Sequence, residues 1–301
     1  MNQPLSRRHV LAAAGAAFGA GLMPRPVRAV GAERLVVAGG ALTEIVAALG
    51  VGDRIVGVDD TSLHPPALVR SLPKIGYLRT LAAEGILSLD PSLVIATDQA
   101  GPPPVIGQLR AVGTKLLIVP EGKRLDAALE MIARIAGALD REAAGRALAA
   151  SVGADLELAT GAAAGLGRPT RVLFLLSTSQ GALMAAGRDT TAGLMIAAAG
   201  GENAVRGYSG YKPLSGEAAL AADPEVILLP DHSAMALGGL DHVAALPALS
   251  RTRAVRDGRV HAMDALFLLG LGPRVAHAVQ GLAALLHPSA VLPPLPDRDY
   301  L

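Results

Sequence analysis

Glu84-Gly85-Ile86-Leu87-Ser88-Leu89-Asp90-Pro91 runs straight into Ser92-Leu93-Val94-Ile95. At an offset of 133 residues, Glu217-Ala218-Ala219-Leu220-Ala221-Ala222-Asp223-Pro224 runs into Glu225-Val226-Ile227-Leu228. Glu, Leu, Asp and Pro recur at the same spacing. Each copy reads as a short helix that begins near the Glu, is broken at Asp-Pro, and passes through an extended turn into a strand. Two copies at equivalent places in two β/α series predict two similar α/β lobes.

The chain around this repeat alternates short β-type runs with Ala/Leu-rich helical stretches, the pattern of a parallel sheet covered by helices. Strands are predicted at 34–38, 54–58, 92–96 and 115–119, with helices at 42–49 and 125–139. A long Ala-rich helical stretch at 141–164 ends in Gly165-Leu166-Gly167-Arg168-Pro169. The alternation then restarts with strands at 171–176, 225–229 and 259–262 and helices at 190–199 and 273–286. The resulting division is an N-terminal lobe at 33–140, a connecting helix at 141–165 and a C-terminal lobe at 170–287. Residues 288–301 are rich in proline and read as a surface tail.

Bulk properties narrow the function. With 51% hydrophobic and 18% charged residues and a formal net charge of +1, disorder and nucleic-acid binding are both disfavoured. Aromatic residues are scarce, three Phe, four Tyr and no Trp, so each ring becomes a candidate for a specific task. The absence of cysteine excludes disulfides, iron–sulfur clusters, thiolate metal sites and lipid attachment through an N-terminal Cys. Residues 1–29 read as a twin-arginine export signal. Ser6-Arg7-Arg8-His9-Val10-Leu11 precedes a short Ala/Gly-rich apolar run, and Val27-Arg28-Ala29 offers small residues for cleavage. A soluble, exported protein that is not a lipoprotein is expected.

Catalytic signatures are missing. The sequence holds no Gly-x-Ser-x-Gly elbow, no phosphate-cradling Gly-Lys-Ser/Thr loop and no His-Glu-x-x-His helix. The histidines beyond His9 (His64, His232, His242, His261, His277 and His287) are not at metal-ligand spacing. A binding protein rather than an enzyme is expected. The rival from another class is an α/β enzyme with a carboxylate and His232 or His261 in a cleft.

Lys74-Ile75-Gly76-Tyr77-Leu78-Arg79-Thr80 stands apart. It lies in the loop after the second strand, on the side where α/β sheets bind ligands. A phenol beside Gly has backbone able to approach a large flat ligand, and deprotonated it is a hard oxygen donor for ferric iron. An unperturbed phenol titrates at about 10, so a neighbouring cation must stabilise the phenolate. Arg79 can do so if the loop is extended. The plainer reading is a packed Tyr beside a surface Arg.

Several segments together resemble the haem-binding periplasmic proteins of bacterial haem ABC importers, class III periplasmic binding proteins. They are Ile55-Val56-Gly57-Val58-Asp59-Asp60-Thr61-Ser62, Leu72 to Arg79, Leu81 to Leu89, and Ala100-Gly101-Pro102-Pro103. The second half adds Ala186-Gly187-Arg188-Asp189-Thr190 and Gly210-Tyr211-Lys212-Pro213-Leu214-Ser215. The resemblance implies two Rossmann-like lobes joined by a single long α-helix, with ferric haem b carried in the cleft between them. By position it makes Tyr77 the axial iron ligand and Arg79 its support. Glu84 and Glu217 would dock, one per lobe, into the inner-membrane permease; the plainer reading is a helix-start carboxylate favoured by the helix dipole. Pro102 and Pro103 are expected to sandwich the macrocycle, Tyr208 and Tyr211 to stack on it, and Arg188 and Lys212 to meet the propionates. Some relatives hold a second haem through a His after the first strand of lobe two. Here that place reads Ser177-Thr178-Ser179-Gln180, so one haem per monomer is expected. An outer-membrane haem receptor enters only indirectly, as the upstream source. The nearest alternative cargo is a corrinoid or another large iron chelate.

Overall fold

The computed structural model describes residues 33–178 and 182–301. The expected export signal at 1–29, and Ser179 and Gln180, lie outside the described residues.

The first half builds β1 (Leu35–Ala38), α1 (Gly40–Ala48), β2 (Ile55–Val58), α2 (Pro66–Val69), α3 (Ala83–Leu87), β3 (Leu93–Thr97), α4 (Pro103–Ala111), β4 (Leu116–Val119) and α5 (Ala127–Ala138). Its four strands are all parallel, in the order β2-β1-β3-β4. The helix α6 (Glu142–Ala164) follows. The second half builds β5 (Thr170–Ser177), β6 (Leu183–Ala186), α7 (Thr191–Ala198), β7 (Gly201–Asn203), β8 (Tyr211–Pro213), α8 (Gly216–Ala222), β9 (Val226–Pro230) and α9 (Asp231–Ala236). It closes with α10 (Leu240–Ala245), α11 (Arg253–Arg256), β10 (Val260–Met263), α12 (Ala265–Leu269) and α13 (Val275–Leu286). Its sheet runs β10-β9-β5-β6-β8, with β7 parallel to β5 at one end.

The repeat that organises the sequence is built twice in the same way. Asp90 and Asp223 both take left-handed backbone, with φ of 46° and 41°. The turn is therefore made by an αL aspartate, a residue type that tolerates this region, and not by the extended pre-proline residue expected. The strands begin at Leu93 and Val226, again 133 apart, and each pairs in parallel with the first strand of its own lobe. An arginine at the entrance of that first strand clamps each turn. Arg34 donates to the carbonyls of Leu89 (2.6 Å) and Asp90 (3.0 Å). Arg171 donates to those of Ala222 (2.5 Å) and Asp223 (3.4 Å). Their backbone N–H groups meet equivalent side chains, Ser92 Oγ at 2.8 Å and Glu225 Oε2 at 3.0 Å.

Period-2 alternation sets the two faces of each sheet. Leu35 and Val37 point into the main core and Val36 and Ala38 into a second cluster. Val172 and Phe174 join the main core, whereas Leu173 and Leu175 face a third. The main core runs without a break from the first lobe through α6 into the second. On α6 the buried positions Gly145, Leu148, Val152, Asp155, Leu156, Ala159 and Ala163 recur every three or four residues, one apolar stripe with a single buried charge. Gly145 allows α5 to approach closely, because a Cβ there would come within 2.4 Å of the Ala136 Cβ.

Two expectations need correction. The second sheet is not purely parallel: β6 and β8 are antiparallel. Both strands are short, which hides them from a periodicity reading. The segment at 288–301 is not a free surface tail. Leu292, Leu295 and Tyr300 pack on the main core, and Gln280 donates to the Pro293 carbonyl at 2.5 Å. The cause is Asp155, a carboxylate buried in the middle of α6 that needs a partner. Arg298 supplies it bidentately at 2.5 and 2.8 Å, and the Tyr300 hydroxyl donates to the same carboxylate at 3.3 Å. Burial, with Asp155 beside it, pushes the Tyr300 phenol up to about 12.

Candidate functional site between the lobes

The C-terminal ends of the parallel strands of both lobes open onto one cavity of about 510 Å³. Gly39 and Gly40 follow β1, Asp60, Thr61 and Leu63 follow β2, Thr97 ends β3, and Glu121 and Gly122 follow β4. From the second lobe come Thr191 of α7, His232 of α9, and Ala265, Leu266, Leu269, Gly270 and Leu271 in and after α12. Leu42, Leu63, Leu78, Leu266, Leu269 and Leu271 make the walls largely apolar. The lobes touch at the floor: a Cβ on Gly40 would meet Leu266 Cδ1 at 2.5 Å and the Thr61 carbonyl at 2.6 Å.

Asp59 holds the floor in shape, and sequence reasoning gave it no role of its own. Its fully buried carboxylate accepts from Gly39 N (2.9 Å), Thr61 N (3.0 Å), Thr61 Oγ1 (2.5 Å) and Ser62 Oγ (2.7 Å). Ser62 Oγ in turn meets Thr43 Oγ1 at 2.8 Å, and Lys74 Nζ donates to the Ser62 carbonyl at 2.9 Å. The turns after β1 and β2 and the start of the Tyr77 loop are thus one rigid unit. Its sequence signal was Asp59 followed by two hydroxyl residues within three positions.

On that unit, Leu78–Thr80 forms a single 3-10 turn with Tyr77 as its N-cap residue. The segment is not extended as expected. The turn sends Leu78 into the core and leaves Tyr77 45% exposed in the cavity, with Arg79 also in the lining. Among the described residues Tyr77 and Arg79 share no hydrogen bond. Arg79 instead faces Glu121, whose carboxyl pKa is raised. Burial in the wall is the main cause; a Thr97 hydrogen bond opposes it, Asp98 adds to it and Arg79 opposes it.

A second chamber of about 900 Å³ shares Glu121, Gly122 and Thr191 with the first. It is more polar and includes Asp98, Lys123, Arg188, Asp189, Glu202 and Arg206. Arg188 therefore stands on the cleft, one chamber away from Tyr77.

The remaining expected contacts are elsewhere. Pro102 and Pro103 are exposed at the start of α4, where a residue without an N–H is tolerated, and neither lines a chamber. Their loop is tied to the Tyr77 turn by Leu81 N to the Gly101 carbonyl (2.7 Å) and Gly101 N to the Leu78 carbonyl (3.0 Å). Tyr208, Tyr211 and Lys212 are also outside both linings, because the antiparallel β6–β8 pair carries this segment to the edge of its sheet. Tyr208 donates to the Ala185 carbonyl at 3.0 Å under the Lys212 ammonium, 5.1 Å from the ring centre. Tyr211 packs edge-on to Phe174 with ring centres 6.5 Å apart. Burial raises both phenol pKa values. Glu84 and Glu217 are exposed in the first turns of α3 and α8, at equivalent points of the two lobes.

Behind the cavity a buried ion pair bolts the lobes together. Arg274 at the start of α13 grips Glu44 of α1 at 2.5 and 3.1 Å, with side chains only 14% and 4% exposed. Burial raises the Glu44 pKa, opposed by its hydrogen bond to and the charge of Arg274, with Asp264 raising it further.

A family model described as periplasmic binding protein matches residues 35–266. The chain belongs to the periplasmic binding protein family. Its two Rossmann-like lobes and single connecting helix are the class III form of that fold. This periplasmic binding protein is similar to the periplasmic heme-binding protein RhuT from Roseiflexus sp. RS-1, with 43% identity and a TM-score of 0.84 over 86% of this chain and 99% of that one. It is also similar to the periplasmic heme-binding protein BhuT in complex with two hemes, with 41% identity and a TM-score of 0.80 over 85% and 98%. A shorter likeness, 37% over 82 residues, covers 27% of this chain and 29% of the vitamin B12-binding protein of Vibrio cholerae.

Proposed function

We propose that this periplasmic binding protein captures ferric haem b in the cleft between its lobes and delivers it to an inner-membrane ABC importer. The observation that carries this reading is Tyr77. A large aromatic is left nearly half exposed, on a rigid turn, at the wall of an otherwise apolar cavity built by both lobes. An apolar wall suits the macrocycle through non-directional burial, and one oxygen donor fixes its orientation. Likeness to two haem-binding proteins over most of their length supports the same cargo.

In this reading Tyr77 is the axial ligand of the iron. Arg79, free of any hydrogen bond to Tyr77 before loading, turns from Glu121 to the phenolate once the ligand is in place. Leu63, Leu266 and Leu269 take the packing role first expected of Pro102 and Pro103, and Arg188 in the polar chamber meets a propionate. The protein catalyses nothing; release follows when the importer separates the lobes. Glu84 and Glu217, alike in place on the two lobes, dock on the permease. The protein acts as an exported monomer in the periplasm, not anchored by lipid, and takes one haem supplied indirectly by an outer-membrane receptor.

The corrinoid alternative is tested by titrating the purified protein with hemin and with cyanocobalamin while following absorption and tryptophan-free tyrosine emission. Saturation with one equivalent of hemin and no response to cobalamin is expected. Saturable cobalamin binding without hemin binding would reverse the assignment.

A further inference from the structure

The segment 288–301 crosses from one lobe to the other over the middle of α6, and the reading above gives it no task. Gln280 of α13 holds its start through the Pro293 carbonyl at 2.5 Å, and Asp155 of α6 holds Arg298 and Tyr300. At Pro296 its backbone meets His277 of α13, in the second lobe. At Tyr300 its backbone meets His64, in the loop after β2 of the first lobe. Leu292, Leu295 and Tyr300 pack on the core that both lobes share. The chain end is thus a strap that touches both lobes and the helix between them.

The two histidines that meet the strap share one defect. Among the described residues three buried side-chain atoms have no hydrogen-bond partner, and His64 Nε2 and His277 Nδ1 are two of them. Such a nitrogen is tolerated as the bare acceptor of a neutral ring. With a proton added it becomes a buried donor without an acceptor, on a ring that now carries charge. His64 faces the Arg274 guanidinium and the Asp264 carboxylate; His277 faces Arg274, Arg298 and the Asp155 carboxylate. Asp155 is already taken by Arg298 and Tyr300, and Arg274 is paired with Glu44. Burial above all, then Arg274, lowers the His64 pKa, against the Tyr300 backbone and Asp264. Burial also leads the lowering at His277, where Asp155 and the Pro296 backbone oppose it and Arg298 and Arg274 add to it. Rings that titrate lower in place than free hold the strap fully shut above about 6.5, and the hold weakens as pH falls below that value.

We propose that residues 288–301 are an acid-released strap: protonation of His64 and His277 frees the chain end from both lobes and lets the cleft widen. The route to the cleft is Arg274. It neighbours both rings, pairs with Glu44 of the first lobe, and lies over Phe267 of α12 at 5.1 Å from the ring centre. Ala265, Leu266 and Leu269 of that same helix line the first chamber. The device acts whatever the cargo, so it does not depend on the haem reading.

The test follows hydrogen exchange by mass spectrometry in the full-length protein without ligand, between about pH 7.5 and about pH 3.5, each rate corrected for its intrinsic dependence on pH. Wild type is expected to lose about tenfold in the protection of 288–301 by about pH 5, while the peptides of β1 and β9 keep theirs. The double variant His64→Gln with His277→Gln, whose side chains cannot take up the proton, is expected to hold that protection through the same range. Carbon NMR of the histidine rings gives a second reading in wild type, where folding of a variant is not at issue. The His64 and His277 titrations are expected to coincide with the loss of protection. Constant protection in wild type down to about pH 5, or an equal loss in a folded double variant, would overturn the proposal. So would a loss during which neither ring titrates, or one that begins only in the carboxylate range below about pH 4.

Discussion

At the scale of single residues, the chain commits its charges to two kinds of work. Glu225 is structural. It accepts from Arg168 at 2.6 and 2.9 Å, from Arg171 N at 3.0 Å and from Arg253, and the Arg168 hydrogen bond above all holds its carboxyl down at about 2 against an ordinary 4.5. A carboxyl whose folded pKa lies below its unfolded one contributes stability that is complete above about 4.5 and lost as pH falls towards 2. Glu225→Gln is therefore expected to lower Tm at pH 7 and to narrow the difference in Tm between pH 7 and pH 3. An undiminished difference would show that other carboxylates govern the acid limb. Tyr77, Arg79, Glu121 and His232 do the other kind of work: they line the cleft.

At the scale of elements, the repeated helix–turn–strand unit was the most legible part of the sequence. Its spacing located α3 with β3 and α8 with β9, because Glu, Asp and Pro mark a helix start and a turn whatever surrounds them. The Arg34 and Arg171 clamps behind those turns were not legible, since each arginine lies more than fifty residues from the carbonyls it holds. The long apolar stripe of α6 was readable from its Ala-rich run, whereas β6, β7 and β8, of four, three and three residues, carry too little periodicity to be read. The same limit hid the antiparallel pairing beside Tyr208 and Tyr211, whose rings meet the Ala185 carbonyl and Phe174 of their own lobe. The Tyr77 segment was legible because Gly-Tyr-x-Arg is an unusual use of a rare ring in this chain. Its shape was not: a 3-10 turn, not an extended loop, presents the ring.

At the scale of the whole molecule, the two lobes are held more tightly than a flexible linker would hold them. Helix α6 shares one core with both, the C-terminal segment 288–301 is pinned to its middle by Arg298 and Asp155, and Glu44 meets Arg274 across the back of the cleft. Arg274→Met leaves a buried carboxylate without its partner, a loss of about 3 kcal/mol in a urea titration. The double change Glu44→Leu with Arg274→Met is expected to recover most of that loss. Equal losses in the single and double variants would mean that the pair packs the interface without acting as an ion pair. A scaffold of this stiffness allows only a small change of cleft width, which matches a carrier that must keep its cargo until another protein opens it.

The central claim is that an oxygen of Tyr77 grips iron in that cleft, and the most direct measurement is a hemin titration of wild type beside Tyr77→Ala, read by absorption. Wild type is expected to show the charge-transfer band of ferric iron bound to phenolate, and Tyr77→Ala to lose that band together with most of the affinity, at least about a hundredfold. A Tyr77→Ala protein that kept both would contradict the account.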